Sequence, residues 1–374
     1  MIRVLQVCSD TNIGGAGKCI LTYLKHCDRK NFHIGVVLPE NSLLKPQVEV
    51  LGFKVFEIAA MADKSLDFKA IQKLCKVFKE FKPHIVHTHA SMSARIAAKL
   101  CGIKIVYTRH SVFPPSPRLT KGIGKAVCGF VNNSTAHKII AVAEAAKDNI
   151  TAIGVSEKKI DVVLNGVEPL TPYTPEQIAG LRSEYNITED TKCAAIVARL
   201  NEVKGHKYFV QAASELKSKG IKAKFFIAGT GDMEASIHKQ IKEKGLEDYV
   251  IMLGFLNNVE PLMNLMDVQC NCSFGTEATS LSLLEGMSLG KPAVVSDFGG
   301  NPGVIKNGEN GFIVPTHDPK ALAQRLTELF TDDVLYSRMS EKSKEIFKTK
   351  FTAQKYAENI ENIYKNLGGK KNEN

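Results

Sequence analysis

Met1-Ile-Arg-Val-Leu-Gln-Val-Cys8, then Gly14-Gly15-Ala16-Gly17, then Lys18 to His26: three pieces follow in succession, with only the short stretch Ser9 to Ile13 between the first two. Apolar residues begin at once and run for only a few positions, as in a short buried strand. The glycines let backbone approach an anion where a helix N-terminus offers unpaired N–H groups and the positive end of its dipole. Strand, glycine turn and helix make the start of a βαβ unit. The rest of the chain repeats that alternation, which predicts an α/β fold with parallel, doubly wound sheets.

Working outward, strands are expected at Arg3 to Cys8, His33 to Leu38, Lys54 to Ile58, His84 to Thr88, Lys104 to Thr108, Lys138 to Val142 and Asp161 to Leu164. Between them, Phe68 to Lys82 reads as a helix, with Ile71, Leu74, Phe78 and Phe81 on one face. Asn165-Gly166-Val167-Glu168-Pro169 interrupts the pattern, and it then restarts. The second set of strands is Ala194 to Val197, Lys224 to Ala228, Val250 to Leu253, Val268 to Cys272, Ala293 to Ser296 and Gly311 to Val314. The chain has 374 residues, and at roughly 150 residues per domain two domains are expected. We place one at residues 1–166 and the other at 167–350, each Rossmann-like. Residues 351–374 hold a last helix near Thr352 to Leu367 and a tail, with disorder expected from Gly368 to Asn374. Ligands bind such sheets beyond the carboxyl ends of the strands.

Composition narrows the function. No apolar run approaches the roughly 20 residues that span a bilayer, and the start lacks the layout of a signal peptide. A cytoplasmic protein is expected, or one peripheral on the inner face of the cell membrane. The nine cysteines are scattered, without the spacing of a zinc site, and read as reduced, mostly buried thiols. The net charge of +10 suits nucleic acid, an anionic membrane surface or anionic small substrates. With no tryptophan, no nucleic-acid signature and no Arg-rich tail, nucleic acid is not an expected partner. Two basic clusters, Lys69, Lys73 and Lys76, and Arg118, Lys121 and Lys125, fit either a solvated face or anionic lipid.

Four stretches could carry chemistry. Gly15 and Gly17 form an incomplete dinucleotide fingerprint: the third glycine is replaced by Ile20, and Asn12 and Cys19 rule out a P-loop. Arg199 and Lys204 follow the first strand of the second domain, where fixed cations would neutralise a departing diphosphate. The plain alternative is a solvated loop. Glu277-Ala-Thr-Ser280-Leu281-Ser282-Leu-Leu-Glu285 opens a helix expected to end near Gly290. Ser282 and Glu285 have the spacing of a capping box, so Glu285 reads first as a helix cap. Glu277 precedes the helix and suits sugar hydroxyls. Finally, His110 follows the strand ending at Thr108, and His87 and His89 the neighbouring one. They could bind a sugar, act as acid or base, or be ordinary loop histidines. His87 and His89 are expected on opposite faces of their strand. No metal-ligand spacing accompanies any of these residues.

In this order and at these spacings, the chain resembles the retaining glycosyltransferases of family 4, which have the GT-B fold. The residues that carry the resemblance are the E-x7-E pair Glu277 and Glu285, Arg199 with Lys204-Gly205, and Gly229-Thr-Gly231. Gly254-Phe255, the loop Phe298-Gly-Gly-Asn-Pro, Asn165-Gly-Val and the N-terminal glycines support it. The resemblance implies two Rossmann-like domains facing across a cleft, an acceptor-binding N-terminal domain, a nucleotide-sugar-binding C-terminal domain, and a last helix that crosses back to the former. It implies that Glu277 contacts the donor sugar, Arg199 and Lys204 hold the diphosphate, and His110 hydrogen-bonds the sugar near its anomeric centre. Glu285 would bind the ribose, Gly15 would approach the phosphates, and Gly229 and Phe255 would border the base. Leu281 counts among the nucleotide-binding residues. Chemistry would need no metal or other cofactor and would retain configuration, with no protein nucleophile assigned. The donor would be a UDP- or GDP-sugar, UDP favoured. The acceptor would be a hydroxyl of a bacterial surface glycan or its lipid-linked precursor. Two departures stand out: Ala278, Ser280 and Ser282 occupy positions where glycine and proline are frequent, and no acidic residue lies near Gly303. A NAD-dependent oxidoreductase, using Gly15, Gly17 and Glu40, and a non-catalytic GT-B scaffold are the alternatives.

Overall fold

The structure is a computed structural model; it describes residues 1–59, 61 and 66–368. It divides into two compact units, Met1–Gly166 together with the chain from Ala353 on, and Val167–Thr352.

Among the described residues, the first unit holds seven parallel strands: β1 (Ile2–Cys8), β2 (Phe32–Pro39), β3 (Lys54–Ile58), β4 (Ile85–His89), β5 (Lys104–Arg109), β6 (Lys138–Ala141) and β7 (Ile160–Val162). Their order is β3-β2-β1-β4-β5-β6-β7, so the winding reverses between β1 and β4. Helices α1 (Gly15–His26), α2 (Phe68–Phe81) and α3 (Gly122–Thr135) lie among its connections. The face of α2 expected from spacing is the buried one. Ile71, Leu74, Phe78 and Phe81 pack with Leu5, Val7, Val37 and Val86 of the sheet, and burying each such side chain contributes about 2 kcal/mol. Asp67 caps this helix by accepting from Lys69 N.

The second unit holds six parallel strands: β8 (Lys192–Val197), β9 (Ala223–Ala228), β10 (Val250–Gly254), β11 (Val268–Asn271), β12 (Ala293–Ser296) and β13 (Gly311–Val314). The order β10-β9-β8-β11-β12-β13 reverses between β8 and β11. Helices α4 (His206–Ser218) and α5 (Leu281–Ser288) follow β8 and β11. Phe209, Phe225, Leu216 and Leu326 anchor the core on one face of the sheet. The strands are apolar on both faces, as two layers of helix require.

The last helix, α6 (Ala353–Gly368), returns to the first unit and packs on α1, β1 and β4. Gly368, the expected start of disorder, closes this helix; the rest of that stretch, from 369 on, lies outside the described residues. All nine cysteines are free and six are buried. Helix α1 starts at Gly15 rather than Lys18, so the glycines form its first turn.

Candidate active site

The functional candidates follow the carboxyl ends of the strands, and Gly15, Arg199, Lys204 and Glu277 follow strands at which the winding reverses, the place where doubly wound sheets bind ligands.

In the second unit, Arg199 stands exposed just beyond β8, and Lys204 closes a short turn before α4. Gly205 has φ +71°, and a Cβ there would lie 2.1 Å from the Cys272 carbonyl. Only glycine seats this loop against the end of β11. Beyond β11, Glu277 is 7% exposed. Its Oε2 accepts from Lys204 Nζ at 2.9 Å, Asn271 Nδ2 at 2.9 Å and Ser273 Oγ at 2.7 Å. Lys204 also donates to the Thr276 carbonyl. From the other side, Gly299 and Gly300 press on the carbonyls of Glu277 and Ala278, leaving no room for a Cβ. Two charges removed from water cost nearly as much as their attraction returns. This pair therefore fixes geometry more than it adds stability.

The expected capping box at Ser282 and Glu285 is absent. Ser280 is the N-cap of α5, its hydroxyl accepting from Leu283 N, while the Ser282 hydroxyl donates to the Val197 carbonyl. Counting from Ser280, the third helical residue is Leu283, so Glu285 lies past the first turn, where a side chain cannot reach back to the cap. Its carboxylate, half-buried, has lost the structural role that sequence spacing gave it. Leu281 is the first residue of α5. Gly229 has φ +141°, and a Cβ there would strike the Ala198 carbonyl at 2.0 Å, so packing alone demands glycine. Phe255, beyond β10, leaves 69% of its surface exposed.

In the first unit, a Cβ on Gly15 would meet nothing within 4 Å. Open space, not packing, lies in front of this backbone. His87 and His89 share one face, with ring centroids 4.5 Å apart. The expectation of opposite faces fails because residues two apart in a strand point the same way. His89 Nδ1 meets His110 Nε2 at 2.7 Å, and His89 Nε2 meets Gln6 Oε1 at 2.8 Å. His87 lies between Tyr364 and Thr108. Burial lowers His110 to about 4 and His87 to about 3, and drives His89 well below its ordinary value. All three are neutral near pH 7.

That neutrality has a sign in stability. The unfolded chain takes up these protons near pH 6.5, the native state only near 4 or below. Native stability is therefore full above pH 6.5 and declines as the pH falls from there toward 4. The melting temperature is expected to drop between pH 7 and pH 5, and to drop less in His110→Asn. Equal drops in both proteins, measured by circular dichroism, would refute the assignment.

Sequence reasoning missed Asn271, Ser273, Gln6 and Tyr364. Asn271 and Ser273 were legible as polar residues ending an apolar strand two positions apart. Gln6 was legible as a polar residue inside the apolar run of β1. Nothing local marked Tyr364, 358 residues from Gln6.

Residues 13–169 match the family described as Glycosyltransferase Family 4, and residues 178–346 match Glycosyl transferases group 1. The chain belongs to the glycosyltransferases of family 4. An Escherichia coli UDP-Gal:alpha-D-GlcNAc-diphosphoundecaprenol alpha-1,3-galactosyltransferase is 27% identical over 97% of this chain and 96% of its own. N-acetyl-alpha-D-glucosaminyl L-malate synthase of Bacillus anthracis is 26% identical over 80% of this chain and 78% of its own. Among solved structures, HepE of Anabaena in complex with UDP and glucose superposes with a TM-score of 0.84 at 20% identity, covering 98% of this chain and all of its own. A glycosyltransferase of Rickettsia africae gives 0.84 at 20% identity, covering 99% of both chains. The fold of this glycosyltransferase is thus GT-B, and the oxidoreductase reading is not favoured.

Proposed function

We propose that the protein transfers a hexose or N-acetylhexosamine from a UDP- or GDP-sugar, UDP favoured, to a hydroxyl acceptor in surface glycan or lipid-linked oligosaccharide synthesis. The observation that carries this is the clamp on Glu277. Three donors converge on Oε2, which leaves the second carboxylate oxygen for a sugar hydroxyl. Lys204 then shares its charge between Glu277 and the diphosphate, and Arg199 adds a second cation. As the glycosidic bond breaks, negative charge grows on the departing diphosphate and these fixed cations stabilise it without a metal. Glu285 binds the ribose, Phe255 and Gly229 border the base, Leu281 and Gly15 offer backbone to the nucleotide, and His110 meets the sugar. Configuration is retained, and no residue is assigned as nucleophile. The E. coli relative's name gives a UDP-sugar donor and a lipid diphosphate acceptor, and HepE was solved with UDP and glucose; both support the donor class.

The test is a panel of nucleotide sugars assayed for nucleotide release, with Lys204→Ala beside the wild type. UDP-sugars are expected to turn over, and Lys204→Ala to lose about 100-fold or more in kcat. Full activity in Lys204→Ala would remove the diphosphate role.

A cytoplasmic enzyme seated on anionic lipid fits the surface of the first unit. Between Glu80 and Glu144 the sequence has no acidic residue and nine Lys and Arg. Within that stretch, α3 buries only Gly129 and Thr135, while Ile123, Val127 and Phe130, on one helical face, are 84%, 56% and 73% exposed. Among the described residues no helix is long and apolar enough to cross a membrane. The protein is expected to float with phosphatidylglycerol vesicles and not with phosphatidylcholine ones, and Ile123→Ser with Phe130→Ser to abolish flotation. Unchanged flotation in that double variant would assign binding elsewhere.

A further inference from the structure

We propose that the tautomer of His110, and hence the kind of group its second ring nitrogen accepts, is set from the last helix by Tyr364, acting through Gln6 and His89. The proposal rests on the reading that His110 meets the donor sugar.

The hydrogen bonds form one directed chain. Gln6 presents Oε1 to His89 Nε2 at 2.8 Å and donates from Nε2 to the Tyr364 hydroxyl at 2.8 Å. An amide oxygen only accepts, so His89 must carry its proton on Nε2. A neutral imidazole then has a lone pair on Nδ1, and that nitrogen lies 2.7 Å from His110 Nε2. His110 is thereby the donor at Nε2, and its Nδ1 is left as an acceptor. In the other direction, the Tyr364 hydroxyl accepts from Gln6 and passes its own proton to His87 Nδ1 at 2.5 Å. His87 donates from Nε2 to Thr108 Oγ1 at 2.6 Å. Each member donates once along the line.

Two features keep the chain closed, whichever way the amide directs it. Gln6, His87, His89, Thr108 and Tyr364 are all at most 4% exposed, so water cannot replace a broken bond and an unpaired amide would be costly. Burial also raises Tyr364 well above its ordinary value, so its hydroxyl keeps the proton the chain needs. Turning the Gln6 amide over would reverse every bond and put a proton on His110 Nδ1. The amide is the selector, and Tyr364 is the positioning residue that holds it.

The chemical consequence is a specificity. With Nδ1 as acceptor, His110 takes a hydroxyl or amide N–H of the donor sugar and gives nothing to a phosphate oxygen. It does not serve as a general acid.

The test is NMR on protein labelled with 15N-histidine, using two-bond nitrogen–proton couplings at pH 7.5, with the His110 signals identified by their loss in His110→Gln. The wild type is expected to show a single His110 tautomer protonated at Nε2. Tyr364→Phe removes the hydroxyl but keeps the ring against Tyr23 and Phe32; it should give exchanging tautomers. Gln6→Leu should do the same and serves if the first variant folds poorly. Donor KM is expected to rise about fivefold in either, the worth of one ordinary hydrogen bond, with kcat changed less. A His110 tautomer unchanged in both variants, or protonated at Nδ1 in the wild type, overturns the chain. A tautomer that changes while donor KM stays fixed leaves the chain standing and removes His110 from the donor site.

Discussion

Glu277→Ala is expected to abolish turnover and to destabilise the second unit together. The carboxylate is the shared acceptor for Lys204, Asn271 and Ser273. Its removal strands a mostly buried ammonium and two buried polar groups, which costs about 3 kcal/mol. Nucleotide release should fall at least about 100-fold, as when a fixed electrostatic contact to the reacting centre is lost. Glu277→Gln separates the two effects. Its amide oxygen can still accept in place of Oε2, so melting should shift less, while the charge that orients Lys204 is gone and turnover stays low. Turnover near the wild-type level in Glu277→Gln would make the residue structural. Release assays and thermal melts on both variants decide it.

Gly205→Ala should be nearly as damaging, for a different reason. The position has φ +71° and faces the Cys272 carbonyl 2.1 Å from where a Cβ would stand. The left-handed backbone alone costs about 1–2 kcal/mol for alanine, and the overlap forces the start of α4 away from β11. Lys204, the preceding residue, moves with it. We expect a total near 3 kcal/mol, or about 10 °C in melting temperature at this unit's size, and a loss of turnover beyond what the melting shift explains. Gly220→Ala is the control. It has φ +70° and nothing within 4 Å, so it should show the backbone cost alone. Equal melting shifts in the two variants would mean that the contact with Cys272 relaxes freely.

All thirteen strands stand within two residues of where the sequence puts them, and the physical reason is general. Buried parallel strands are short apolar runs closed by glycine, proline or a polar residue, and those boundaries are local. The site was legible only in part. Position after a strand picks out Arg199, Lys204, Glu277 and His110 as candidates, because a strand's end is where a doubly wound sheet is open. Spacing misread Glu285, since a capping box depends on which serine starts the helix, and Ser280 and Ser282 look alike until the backbone is placed. It could not find Tyr364, because nothing within a few residues of it on the last helix bears on a hydrogen bond to β1.

The return of α6 to the first unit has a consequence for how the chain is made. Tyr364, Ile360 and Tyr356 are buried there, against α1, β1 and β4, which a ribosome delivers before the second unit. A nascent chain therefore carries an uncovered apolar flank on its N-terminal half throughout the synthesis of the second unit. That half can close only after α6 emerges, since a domain cannot finish before its last element exists. A message cut short between residue 167 and α6 yields a first unit that is nearly all present and still open on one side, with Gln6 lacking the hydroxyl that holds its amide.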